Sequence, residues 1–199
     1  MALTKTTTWQ TLYAIASTAS NTVDEGSLLA VETAYAGKVR IRMGRGTGTG
    51  FTEAPRILLQ VTGVKTSPTA DDWATEQIFI PGLGASIGSQ AVSGTEAAGQ
   101  TTITLAAGTN FAARDYVFFH NTTIANSEWA RVQSVSGADI IISEGLVNAQ
   151  TGSTCRDQAE EYECDIDLTG VQNLRIVVDG ANSGQAVIVR ADIGLVTGL

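Results

Sequence analysis

Lys38-Val39-Arg40-Ile41-Arg42-Met43 alternates cations with apolar residues, and Glu161-Tyr162-Glu163-Cys164-Asp165-Ile166-Asp167-Leu168 alternates carboxylates with apolar residues. Successive side chains of a β-strand point to opposite faces, so the first stretch presents three cations on one face and the second presents four carboxylates, each backed by grease. Both read as half-buried strands of a sheet. Opposite charges on neighbouring strands or on facing subunits fix strand order or contact register, since unlike pairs attract across a ladder and like pairs repel. Lys38, Arg40, Arg42, Glu161, Glu163, Asp165 and Asp167 are therefore candidate interface residues.

Outward from these two stretches the same texture continues. Helix signals are nearly absent, while short runs of β-branched and aromatic residues recur between Gly, Asn, Asp and Ser. Strands are expected near 9–17, 27–35, 57–63, 77–80, 174–179 and 185–193, and a short helical turn at 67–73, where Pro68 and the carboxylates Asp71 and Asp72 suit a helix start. Leu174–Val178 and Gln185–Val189, joined by Asp179-Gly-Ala-Asn-Ser-Gly184, read as a closing hairpin. In its second strand Val187, Val189, Ala191 and Ile193 form a core face, with Arg190 and Asp192 pointing outward.

Between residues 84 and 152 the texture changes. A small, polar stretch is followed by four closely spaced strands at 101–105, 115–119, 129–135 and 140–143, the spacing of a small barrel. The acidic strand resumes at 161, and its charge complement lies at 38–43. The expected fold is thus all-β: an antiparallel, jelly-roll-like β-sandwich whose two parts are residues 1–85, with an N-terminal arm, and 153–199. Residues 86–152 form an inserted small β-barrel domain.

Composition narrows the function. Charged residues are 16% of the 199, against about 25% in an average protein, and 21 residues are glycine. A surface so poor in charge fits one covered by partner chains. The net charge of −8 argues against nucleic-acid binding, which needs a basic footprint. No stretch has the roughly 20 apolar residues of a membrane span. The opening MALTKTTTW lacks the apolar run of a secretory signal, so a protein made and kept in a cytoplasm is expected, without membrane association.

Residues able to carry chemistry are few. His120, the sole histidine, ends a strand without a nucleophile-and-orienter pattern. Asp71-Asp72 and the acidic row lack calcium-loop spacing, and zinc is not expected, since His120 is the sole histidine and no CxxC occurs. Gly44–Gly50 follows a strand but has neither phosphate-loop spacing nor a following helix, so it reads as a flexible or partner-facing hairpin turn. Cys155 and Cys164, nine apart, allow a disulfide, which a reducing compartment would leave as thiols. Asn121-Thr-Thr fits a glycosylation acceptor and, without a signal, means nothing. No catalytic residue, metal or cofactor is expected, and the chain is read as a non-enzyme. Trp9, in an apolar leading arm, and Tyr13 are further interface candidates, whereas Trp73, Trp129 and Tyr116 are the residues with which a carbohydrate- or receptor-binding module would stack its ligand.

Ala107-Gly-Thr-Asn-Phe-Ala-Ala-Arg-Asp-Tyr-Val-Phe-Phe119, followed by Asn126-Ser-Glu-Trp-Ala-Arg-Val132 and Gln133-Ser-Val-Ser-Gly137, resembles the small β-domains embedded in structural proteins of tailed bacteriophages; Val177–Ile193 is similar in character. The resemblance covers about half the chain and is one of texture, without a diagnostic motif. It implies a virion component assembled in many copies in the host cytoplasm. Within that group it implies a capsid decoration (cement) protein, a homotrimer bound to the major capsid protein or other virion proteins, with tail, neck or fibre-associated proteins sharing the same texture.

Overall fold

The computed structural model describes residues 6–47, 50–82, 88–107 and 110–197. The first residues of the leading arm, the expected boundary at 85/86 and Gly48-Thr49 of the glycine-rich segment lie outside them. In chain order the strands are β1 (Thr6–Thr18), β2 (Val23–Glu25), β3 (Leu29–Ala30), β4 (Ala34–Arg45), β5 (Arg56–Thr62), β6 (Ala74–Phe79), β7 (Ser89–Ala91), β8 (Thr95–Glu96) and β9 (Thr102–Thr104). They continue as β10 (Tyr116–His120), β11 (Glu128–Ser136), β12 (Asp139–Ile142), β13 (Gln150–Thr151), β14 (Thr154–Arg156), β15 (Glu160–Asp167), β16 (Asn173–Asp179) and β17 (Val187–Thr197). The protein is all-β, and its paired strands run antiparallel. The helical turn expected at 67–73 is a short 3-10 turn, Ala70–Asp72, capped by reciprocal bonds between Thr69 and Asp72.

A first sheet has the order β1-β17-β4-β15, and a second the order β2-β16-β5-β6, with β3 also on β16. The period-2 pattern explains what each contributes. On β17 Val187, Val189, Ala191 and Ile193 are fully buried, as are Val39, Ile41 and Met43 on β4. They meet Leu174, Ile176 and Val178 of β16 and Ile57 and Leu59 of β5 in one hydrophobic core that both sheets share. On β1 the neighbours Leu12 and Tyr13 are both buried, which a regular strand forbids; a register shift between Thr11 and Tyr13 permits it.

The middle of the chain forms a third sheet of order β7-β14-β10-β11-β12-β9, flanked by the pair β13-β8. Its own core gathers Ile103, Val117, Phe119, Val132, Ile140 and Ile142. Alternation on β10 sends Val117 and Phe119 into that core and turns Phe118 the other way, into a small cluster with Ala159 and Ile188. Phe118 thereby joins the middle sheet to the first sheet, at Gly44. A Cβ at that position would stand 2.5 Å from Cγ and 2.9 Å from Cδ2 of the Phe118 ring, so only glycine leaves room. Nearby, the Arg156 guanidinium donates to the Arg45 carbonyl at 2.7 Å, and that of Arg45 to the Gly82 carbonyl at 2.8 Å.

Several local expectations give way. The closing hairpin does not form: β16 and β17 belong to different sheets, and the segment between them crosses from one to the other. Each already has neighbours on both edges, β5 and β2 for β16 and β1 and β4 for β17, so neither edge is free for the other. The glycine-rich segment is likewise no hairpin turn, since Gly44 and Arg45 continue β4 and the chain passes to β5 in the second sheet. The strand expected over 27–35 is broken into Leu29–Ala30 and the start of β4 at Ala34, because Val31 turns into the core and its N–H bonds the Gln172 carbonyl at 2.9 Å.

Candidate functional site

The two stretches of opposite charge pair with each other within one chain: Glu161 stands opposite Arg42, Glu163 opposite Arg40 and Asp165 opposite Lys38. On the other flank of β4, Arg42 faces Arg190, Arg40 faces Asp192 and Lys38 faces Gly194 of β17. The outer face of the first sheet is thus a checkerboard of charge, and its side chains do not all take the partner straight across. Glu163 accepts from both Lys38 and Arg40, each at 2.8 Å, which holds its carboxyl below the usual carboxylate range. Arg42 passes over Glu161 and bonds Asp192, which also takes Arg190 at 3.1 Å. This arrangement separates Arg42 from Arg190, two like charges placed side by side by register.

The remaining acidic candidates have other partners. Glu161 accepts the Tyr116 hydroxyl at 3.1 Å, and Asp167 accepts the Thr169 backbone N–H at 2.9 Å. Asp165 projects from the exposed side of β15. Trp9 lies against Gly194, where a Cβ would meet its ring at 3.0 Å, and the Arg40 guanidinium sits 5.4 Å above the ring centroid. The indole therefore packs on its own sheet and keeps half of its surface exposed. Tyr13 departs from the expectation of an interface residue: its ring is buried in the shared core against Gly26, and its hydroxyl donates to Asp24, so it offers nothing to a neighbour.

The middle sheet leans over this face and makes a cleft of about 370 Å³, walled by Arg40, Arg42 and Arg190 on one side and Tyr116, Trp129 and Arg131 on the other. A second hollow of about 300 Å³, bordered by Trp9, Thr11 and Asp192, adjoins it through Arg40 and Arg190. The aromatic residues expected to stack a ligand are half-buried, and each carries a guanidinium of the same chain. Trp129 packs on Phe118 at 4.8 Å between centroids and carries Arg42 at 5.6 Å; Tyr116 carries Arg131 at 5.2 Å, and Trp73 carries Arg175 at 4.3 Å. Sequence reasoning had no means to single out Arg131, whose place in the cleft depends wholly on how the middle sheet docks.

Elsewhere the titratable groups are dispersed. His120, half-buried at the end of β10, is held below its ordinary range by burial and by the Arg156 charge, and no hydrogen bond reaches its ring among the described residues. Cys155 and Cys164 are free thiols in different sheets, and burial pushes the Cys155 thiol well up. Among the described residues no three of His, Cys, Asp and Glu group as a metal site would, and no helix is long and apolar enough to cross a membrane.

No family model matches the chain, and no curated protein matches it in sequence. Among solved structures, the chain is similar to the SPBc2 prophage-derived protein YomS, at 9% identity and a TM-score of 0.31 over 99% of this chain and 98% of that one. It is also similar to a structure of infectious bursal disease virus Gt strain (9% identity, TM-score 0.24, 100% of this chain and 82% of that one). A third is VP17, a capsid protein of bacteriophage P23-77 (7% identity, TM-score 0.20, 98% and 99%). At these scores the likenesses carry no argument about what this chain does.

Proposed function

We propose that this chain is a non-enzymatic structural protein of a virion, which binds and stabilises the assembled capsid as a decoration or cement protein. In this reading the two sheets that share a core are an antiparallel, jelly-roll-like sandwich, and the middle sheet is a small inserted barrel. The partners are the major capsid protein and further copies of the chain, with a trimer as the favoured oligomer. The observation that carries the proposal is β6. It ends the second sheet, bonds only to β5 among the described residues, and is exposed on both faces. Ile78 at 53% and Ile80 at 57% exposure stand beside that open edge, with Glu76 the one charge within the strand.

Free edges with apolar flanks invite pairing, and proteins that live alone blunt them with charge or cover them. A neighbouring subunit on this edge would bury apolar area at roughly 25 cal/mol per Å². Repeated over many copies, such contacts give avidity that none has alone, and binding the assembled state alone stabilises it by mass action. The test is to purify the particle that contains this chain, count its copies and locate it by electron cryomicroscopy. Many copies on the outer shell, and a shell that opens at lower temperature without them, are expected. A position in the tail, neck or fibres, or absence from any particle, would overturn the proposal.

A further inference from the structure

Among the described residues, three strands longer than three residues end a sheet with one side unpaired: β1, β15 and β6. They differ in charge. β15 carries Glu161, Glu163, Asp165 and Asp167, and β6 carries Glu76 at a register shift. β1, the longest of them at 13 residues, has no charged residue. The ends of the middle sheet are tied to each other, the Ser93 N–H donating to the Thr104 carbonyl at 2.8 Å and the Ala106 N–H to the Ala91 carbonyl at 2.9 Å. An open edge is ordinarily blunted with charge or proline, and β1 has neither.

The usable part of this edge is its first half. Register shifts between Thr11 and Tyr13 and between Tyr13 and Ala16 bend the rest, whereas Thr6 to Thr11 run in unbroken register with Thr197 to Asp192 of β17. This half is exposed on both faces. Leu195 and Ile193 of β17 lie in the core, yet Thr8 and Gln10 directly beside them are exposed, so the second sheet does not reach this far. The one bulky side chain of the half, Trp9, is folded back over Gly194 of β17 toward Arg40 of β4. It lies away from the open side and leaves the backbone there free to be approached.

Charge and symmetry select the occupant. Two copies of a chain of net charge −8 repel, and pairing β15 with its own copy would set carboxylates against carboxylates. β1 meets its own copy without that conflict. Thr7-Thr8-Trp9-Gln10-Thr11 reads nearly the same from either end. About a two-fold axis at Trp9, antiparallel pairing sets Thr7 opposite Thr11 and Thr8 opposite Gln10 of the second copy, residues that share a face and can hydrogen-bond across the ladder. We infer that the first half of β1 pairs antiparallel with β1 of a second copy, joining two first sheets into one continuous sheet. The inference goes beyond the capsid reading and leaves the edge of β6 free for a capsid partner. Because the contact is isologous, a trimer closed through another surface would be doubled by it.

The test is sedimentation equilibrium of the whole chain, which should show an even number of copies, with hydrogen exchange of the peptide spanning Thr6 to Leu12, which should slow as concentration rises. Thr8→Lys with Gln10→Lys sets lysine opposite lysine on both sides of the axis and should weaken association about tenfold. The same change makes each copy less negative, which by itself would favour association, so the loss reports the local contact. Thr8→Glu with Gln10→Lys sets opposite charges across the axis and should restore association. Ile78→Lys on β6 should leave the protection of β1 in place. Circular dichroism checks that each variant is folded. A monomer up to about 1 mM, an odd number of copies, or a double-lysine variant that associates as the parent does would overturn the inference. So would a Glu–Lys variant no better than the double-lysine one, or protection of β1 lost with Ile78→Lys. None of these results moves the position of the chain in a particle, so the capsid reading stands or falls separately.

Discussion

Replacing Gly44 with alanine should loosen the joint between the middle sheet and the first sheet. The new Cβ would stand 2.5 Å and 2.9 Å from two ring carbons of Phe118 and closer still to a third, where ordinary carbon contact is about 3.5–4.0 Å. The ring must therefore withdraw by about 1 Å, in a site where Phe118 and Ile188 are fully buried and Trp129 packs at 4.8 Å. Overpacking of this kind costs about 1–3 kcal/mol. Alanine recovers about 0.5–1 kcal/mol of backbone entropy relative to glycine. A net loss of about 1–2 kcal/mol is expected by urea denaturation, and a fall in melting temperature of about 2–4 °C for each kcal/mol in a chain of this size. Gly44→Val should cost more than Gly44→Ala, and Phe118→Leu should cost less in the alanine background than in the parent, since the two sites share one space. Trp129 fluorescence reports on the ring's withdrawal. Additive losses in the double variant, or an alanine variant as stable as the parent, would refute the role given to this contact.

Two further outcomes follow from the charges. Lys38→Glu with Arg40→Glu should lower the denaturation midpoint, and adding Glu163→Lys should restore part of it; a triple variant no better than the double would leave the ladder without a stabilising part. Because Glu163 is held below its usual range in the fold, its contribution is present above the ordinary carboxylate pKa and is lost as pH falls through the folded value, so the double variant should show a shallower acid decline. His120 is held down in the same sense: the unfolded chain takes its proton first, near pH 6.5, and stability falls from there as pH drops through the folded value. His120→Gln should flatten that limb of a plot of midpoint against pH; an unchanged slope would contradict it.

The pairing of β4 with β15 was legible because charge alternation marks a face and its sign marks a partner. Which cation each carboxylate takes was not, since Asp192 on the far side of β4 competes for Arg42 and wins. Local rules failed where a connection crosses between sheets. Asp179–Gly184 has the composition of a hairpin turn, and turn chemistry alone cannot tell a chain that folds back beside itself from one that folds over a core. That distinction lies in whether each flanking strand has other claimants for both edges, a property of β1, β2, β4 and β5 and not of the turn. Gly44 misled for a related reason. Glycine within a run of glycines reads as a loop, whereas here it is a seat for a ring that arrives from residue 118.

The checkerboard also changes where a partner can hold this protein. Four of the cations on the first sheet, Lys38, Arg40, Arg42 and Arg190, already have carboxylates of the same chain, with Glu163 and Asp192 taking two apiece. A neighbour that drew on those cations would break bonds to make bonds and gain little, as exchange between exposed ion pairs does. The ladder is thus better suited to fixing the order β17-β4-β15 than to attaching a second subunit. What the fold leaves unspent includes the open edge of β6 with its exposed isoleucines. Apolar contact there is non-directional and grows with the area covered, whereas the ion pairs of the first sheet are directional and already closed within the chain.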